Sequence, residues 1–163
     1  MINEFIRIAK QLNRIGICPV LMGSLGLEWI THQDWQARDI DIHVPGDSRG
    51  WQVPDEDRIY QWDEIMEVMQ QLGYVLVDLH EHEFQREGLS VEFGCIDTLP
   101  DFAGVEPCDL PQYQVEEARF YVPNQAQYLA IYRASSQDSY RNEQNNDKDF
   151  AKISYLEKNR NEP

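Results

Sequence analysis

The stretch from Gly23 to Val44, GSLGLEWITHQDWQARDIDIHV, decides how the rest of the chain is read. It opens on a Gly-Ser turn directly after the apolar run Val20-Leu21-Met22, and Leu25 to Ile30 reads as a helix starting at that turn. The local order is strand, tight turn, helix. The stretch closes on Asp39-Ile40-Asp41-Ile42-His43-Val44, where apolar and polar residues alternate. Residues two apart on a strand share a face, so one face of this strand is apolar and the other anionic. Strands disfavour Asp, and two of them side by side repel. Asp39 and Asp41 are therefore expected to offer hard oxygen ligands to Mg²⁺, the alternative being a solvated strand edge. The turn also has two readings. Backbone N–H groups at a helix start can receive a phosphate at Gly23 and Ser24, or Gly23 merely permits the turn and Ser24 caps the helix.

Working outward, Phe5, Ile8, Ala9, Leu12 and Ile15 recur at helical spacing between a possible Asn3 cap and the stop Gly16. Trp62, Ile65, Met66, Met69 and Leu72 mark a second amphipathic helix ended by Gly73, and YVLVDL (74–79) follows as a strand. EFQREGLSVEFGCI (83–96) reads as two strands around the Glu87-Gly88 turn. The second of these carries Leu89, Val91 and Phe93 on one face and Ser90 and Glu92 on the other, which makes Glu92 the third carboxylate of a candidate triad with Asp39 and Asp41. RFYVP (119–123) is a short strand, Asn124 caps a helix through Leu129, Ile131 and Tyr132, and DKDFAKISYLEK (147–158) is a further helix. The segments 45–57 and 97–117 read as loops, where contacts to a second substrate are expected. His80 and His82 share a predicted strand face but lack the third and fourth ligands of a transition-metal site. The four tryptophans read as core or lid anchors rather than a base-stacking platform. Residues 1–163 are expected to form one mixed α/β domain.

Charge narrows the partners. Lys+Arg 14 against Asp+Glu 29 gives a formal net charge of -15, which repels phosphate backbones and anionic lipid. Neither long nucleic acid nor a membrane is an expected partner, whereas a nucleoside triphosphate remains possible when divalent metal lies between it and the carboxylates. Cys18, Cys95 and Cys108 are an odd number without Cys-x-x-Cys spacing, so no disulfide framework or zinc knuckle is expected and a cytoplasmic setting is. The N-terminal MINEFIRIAKQLNRIG has charges at helical spacing, and reads as neither a signal peptide nor a membrane span.

An apolar strand, Gly-Ser, a helix, then Arg38-Asp39-Ile40-Asp41-Ile42 and later Val91-Glu92-Phe93 resemble the polymerase-beta-type nucleotidyltransferase superfamily. Within it, GSLGLE, ARDIDI and the tail NQAQYLAIYRASS…NDKDFAKISYL are most similar to the small lincosamide nucleotidyltransferase type, over most of the chain. Three positions depart from that pattern: Ser24 stands where many members have a second Gly, Glu92 where Asp is usual, and Lys152 where an acid is common. The resemblance implies a minimal nucleotidyltransferase fold, a small mixed sheet with helices on one face and an open acidic face opposite. It also implies an enzyme holding two Mg²⁺ ions at Asp39, Asp41 and Glu92 and seating a nucleoside triphosphate at Gly23 and Ser24. A hydroxyl of a small molecule or protein would attack the α-phosphorus, Glu92 helping to deprotonate it, and pyrophosphate would leave. The rival expectation keeps the fold without the chemistry, as a ligand-binding or antitoxin-like partner, because no phosphate-binding Lys stands near Gly23 in the sequence.

Overall fold

The computed structural model describes residues 1–137 and 139–159, with residues 139–148 described by their backbone alone, so Lys148 lies outside the described side chains. In chain order the elements are α1 (Ile2–Arg14), β1 (Val20–Met22), α2 (Gly23–Thr31), β2 (Ile40–Val44), α3 (Trp62–Gln71), β3 (Val75–Asp78), β4 (Glu83–Arg86), β5 (Leu89–Cys95), α4 (Leu99–Ala103), β6 (Gln112–Val115), β7 (Ala118–Tyr121), α5 (Gln125–Ser136) and α6 (Ser139–Lys158). The strands make one mixed sheet in the order β3-β4-β5-β2-β1-β7-β6. The pairs β2/β5 and β1/β7 are parallel and the other four antiparallel. Among the described residues no helix is long and apolar enough to cross a membrane.

Side-chain alternation divides the sheet. Ile40, Ile42, Val91 and Phe93 join Phe5, Ile8 and Leu12 of α1 and Ile65 and Met69 of α3 in the main core. On the opposite face, Val20 and Met22 lie beside His43 and Asp41 in the β1/β2 register. A second apolar cluster buries that end, packing Val20 and Met22 against Leu99 of α4 and Ile131 of α5. What remains uncovered is the stretch of β2 and β5 that carries the acids.

Three local expectations are corrected. α1 already begins at Ile2 with Met1 as its cap, so Asn3 lies in its first turn. The segment 97–117 is not one loop. It holds α4, two short 3-10 turns and the edge strand β6, which pairs with β7. His80 and His82 lie in the turn between β3 and β4 rather than on a strand, with His82 at φ 50° and buried.

Gly26 fixes how closely α2 sits on β1 and α5. A Cβ there would stand 2.2 Å from the Tyr128 hydroxyl oxygen and 2.7 Å from the Leu21 carbonyl oxygen. In an open helix Gly→Ala gains about 1 kcal/mol, but overpacking against a backbone carbonyl costs up to about 3 kcal/mol. The clash wins. Gly26→Ala is expected to destabilise the fold by about 2 kcal/mol and lower the melting midpoint by roughly 4–8 °C. A midpoint that rises in thermal denaturation would mean that α2 and α5 do not meet as described.

Candidate active site

Asp41 and Glu92 are side by side because β2 and β5 run parallel with their Cα atoms in register. The hairpin turn at Glu87-Gly88, both at positive φ, sets the next pair, since Arg86 opposite Leu89 brings Glu83 opposite Glu92. A row of three carboxylates, Asp41, Glu92 and Glu83, thus crosses three adjacent strands on one face. Like charges directly opposite destabilise a sheet. The strain shows in Glu92, whose carboxyl is pushed up to about 7 by burial first and then by Asp41, Glu83, Glu81 and Asp39. Ser90 offsets part of it by donating to Glu83 at 2.5 Å. Asp39 stands just before β2 in a bend and is exposed.

The other wall is the start of α2. Gly23 has φ +64° and its backbone lies against Asp41, where a Cβ would be 3.1 Å from the Asp41 Cβ, so only glycine lets the turn approach the acid. The Tyr128 hydroxyl donates to the Gly23 carbonyl at 3.0 Å and ties the turn to α5. Ser24 is inside the first turn of α2 and caps nothing. Its hydroxyl instead accepts a hydrogen bond at 2.9 Å from Lys152, which arrives from α6. Lys152 is only 6% exposed and its ammonium lies 5.0 Å from the centre of the Tyr132 ring. This wall thus joins the start of α2, the Lys152 ammonium and the carboxyl of Asp149, which is buried and borders the same cleft.

All five residues singled out from the sequence, Gly23, Ser24, Asp39, Asp41 and Glu92, border one cleft of about 240 Å³, which Lys152 also borders. Two further cavities meet it at Asp41. One, about 280 Å³, runs toward α4 and α5 and shares Gly23, Ser24 and Lys152. The other, about 260 Å³, runs toward the β3/β4 turn and shares Glu92. Trp51 and His43 border both. His43 has its Nε2 4.0 Å from Asp41 Oδ1, and burial holds its imidazole below the usual histidine range. Trp51, 67% exposed, stands at the mouth with the Arg58 guanidinium 4.3 Å over its ring and His80 beside it at 4.8 Å. His82 borders the same cavity with its Nε2 2.9 Å from the Asp55 carbonyl oxygen, and burial pushes it down to about 4. It is a neutral structural histidine. A larger cleft of about 610 Å³ beside Ile2, Trp29 and Tyr113 is mainly apolar. Its one acid, Glu28, already accepts from the Trp35 and Ala37 backbone N–H groups.

Among the described residues no three His, Cys, Asp or Glu side chains are gathered closely enough to hold a metal ion. The donor set still fits Mg²⁺, which keeps several waters and takes one or two carboxylates plus substrate phosphates rather than a complete protein cage.

Sequence reading gave two of these residues, Glu83 and Lys152, no role in the site. Glu83 was within reach, because a two-residue hairpin turn fixes the register that sets it opposite Glu92. Lys152 was not, because no spacing rule links it to Ser24 across 128 positions.

No family model matches the chain. A protein of Bacillus subtilis (strain 168), the uncharacterized protein YnaI, is 38% identical over 157 residues, covering 96% of this chain and 95% of its own length. The crystal structure of an antigenic nucleotidyltransferase-like protein from Paracoccidioides brasiliensis aligns with a TM-score of 0.57 at 13% identity, over 92% of this chain and 72% of that one. That likeness is one of fold, and the mixed α/β architecture is nucleotidyltransferase-like.

Proposed function

This chain belongs to the same family as YnaI of B. subtilis, and from its fold and the lining of its cleft we propose that it is a nucleotidyltransferase that moves a nucleoside monophosphate from a nucleoside triphosphate onto a hydroxyl. One observation carries the proposal. In the cleft of about 240 Å³, one wall is the start of α2 with the Lys152 ammonium of α6 and the buried Asp149, and the other carries Asp41 and Glu92. A polyphosphate fits between such walls because the first meets its oxygens directly and the second meets them through a divalent cation. The resemblance of GSLGLE and ARDIDI to the lincosamide type supports a small hydroxylated molecule as the acceptor.

In this scheme the N–H groups at Gly23 and Ser24 and the Lys152 ammonium hold the terminal phosphates. Asp39, Asp41 and Glu92 are the residues that would hold two Mg²⁺ ions, which supply charge neutralisation at the phosphates and lower the pKa of the acceptor hydroxyl. Glu92, in the cavity that continues toward Trp51 and His80, receives the hydroxyl proton. The acceptor oxygen then bonds to the α-phosphorus while the bond to the β-phosphate oxygen breaks, and pyrophosphate departs toward Lys152.

The test is thermal stability and calorimetry with Mg²⁺ and nucleoside triphosphates. At 100 times its dissociation constant a ligand should stabilise the chain by about 2.7 kcal/mol. Lys152→Met should weaken that affinity by about tenfold or more, the scale of a charge-assisted hydrogen bond. No stabilisation by any triphosphate would sink the proposal. Tight binding without pyrophosphate release from labelled nucleotide, against any pool of hydroxylated compounds, would favour the non-catalytic alternative.

A further inference from the structure

Two side chains of α5 support the wall formed by the start of α2 and Lys152. Tyr128 and Tyr132 stand one helical turn apart, so their rings share a face, and they stack with centroids 5.7 Å apart at 17°. The Lys152 ammonium lies over the Tyr132 ring while it donates to Ser24. The Tyr128 hydroxyl donates to the Gly23 carbonyl, in space that Gly26 leaves by having no Cβ. Each tyrosine thus supports a different part of the wall. Tyr128 is 1% exposed, and burial first, then Tyr132 and Asp41, hold its phenol well above the ordinary range, so the hydroxyl keeps its proton.

We propose that Tyr128 is a positioning residue of the nucleotide site, whose hydroxyl fixes the Gly23-Ser24 peptide so that the Ser24 N–H is presented to the phosphates. This rests on the nucleotidyltransferase reading above. Ser24 is the second residue of α2, so its N–H has no partner within the helix. A trans peptide is planar, with its C=O and N–H pointing opposite ways. The Gly23 carbonyl is turned to Tyr128, in the cavity toward α4 and α5. The Ser24 N–H is then turned away from α5, toward the cleft where Gly23 and Ser24 meet Asp39, Asp41 and Glu92, a cleft that no α5 residue borders. The residue before it is why this peptide needs a tether. Gly23 at φ +64° lets the turn approach Asp41, and glycine is the joint with the widest choice of backbone angles. Freedom at that joint would scatter the N–H, and a hydroxyl on a ring locked by packing removes it.

Inorganic tripolyphosphate with Mg²⁺, titrated into wild type and Tyr128→Phe and followed by amide resonances in NMR, tests this. The substitution removes the hydroxyl and keeps the stacked ring. Tripolyphosphate affinity should fall by about fivefold, the scale of one neutral hydrogen bond. At saturation the ligand-induced shift of the Ser24 amide should shrink while those of Asp41 and Glu92 persist. A melting curve without ligand should place the variant within about 8 °C of wild type, which shows that it folds. Unchanged affinity, or an unchanged Ser24 shift at saturation, would overturn the positioning role and leave the nucleotidyltransferase reading standing. A loss shared equally by Ser24, Asp41 and Glu92 would overturn it too, since the hydroxyl would then support the fold alone. Failure of wild type to bind tripolyphosphate and every nucleoside triphosphate would overturn both.

Discussion

Asp41→Asn is expected to lower turnover by on the order of 10³-fold while leaving the chain folded, because it removes the one charge common to all three cavities. Asn has the same shape, so the close approach of Gly23 to residue 41 survives. The sheet should not lose stability either. Asp41 raises the Glu92 carboxyl more than any other acid does, so neutralising it relieves a like-charge pair held in register by β2 and β5. The combination separates a functional acid from a structural one, since removal of a structural carboxylate usually costs stability. Single-turnover transfer from labelled nucleotide and a melting curve in chelator check the two halves. Full turnover in the variant, or a melting midpoint that drops by many degrees, would contradict the role given to Asp41.

Glu92→Gln should cost on the order of 10²-fold in kcat with little change in nucleotide KM, the usual scale for a positioned proton acceptor. Its stability signature runs opposite to that of a salt-bridged acid. The Glu92 carboxyl is pushed up to about 7 in the folded chain against an ordinary value of 4.5. The unfolded chain therefore releases this proton first, and the stabilisation present below about pH 4.5 is lost as pH rises toward about 7. In metal-free protein the wild type should weaken across that window and Glu92→Gln should weaken less. Parallel stability profiles for the two would mean that burial, with Asp41 and Glu83 alongside, does not raise the Glu92 carboxyl in the folded chain.

Much of the fold was legible because local signals agreed. The alternation of β2 gave its two faces, the Glu87-Gly88 dipeptide gave the hairpin, and Asn124 forms a capping box with Gln127 at the start of α5. The losses have physical causes. β6 is a four-residue, largely polar edge strand next to Pro111, too short for a pattern to emerge. His80 and His82 alternate as strand residues do, yet the backbone reverses there, and Arg58 secures the turn by donating to the His80 carbonyl at 3.0 Å. In the candidate site the residues carried by one strand or turn were readable, Glu83 was within reach through the hairpin register, and Lys152, brought by a distant helix, was not. Asp39 shows the limit of periodicity, since it precedes β2 in a bend instead of repeating the position of Asp41.

The bond from Lys152 to Ser24 spans 128 positions, and that span has a consequence for how the chain is made. Closing long loops is entropically slow, so contacts of wide separation generally form after local ones. On the ribosome the order is stricter. At roughly 5–20 residues per second, several seconds pass between emergence of β5 and emergence of α6. During that interval β2 and β5 can pair while the ammonium that completes the opposite wall has yet to be synthesised. The nascent chain thus carries the acidic row of β2 and β5 before Lys152 is made, and the cleft gains its full lining only when α6 docks.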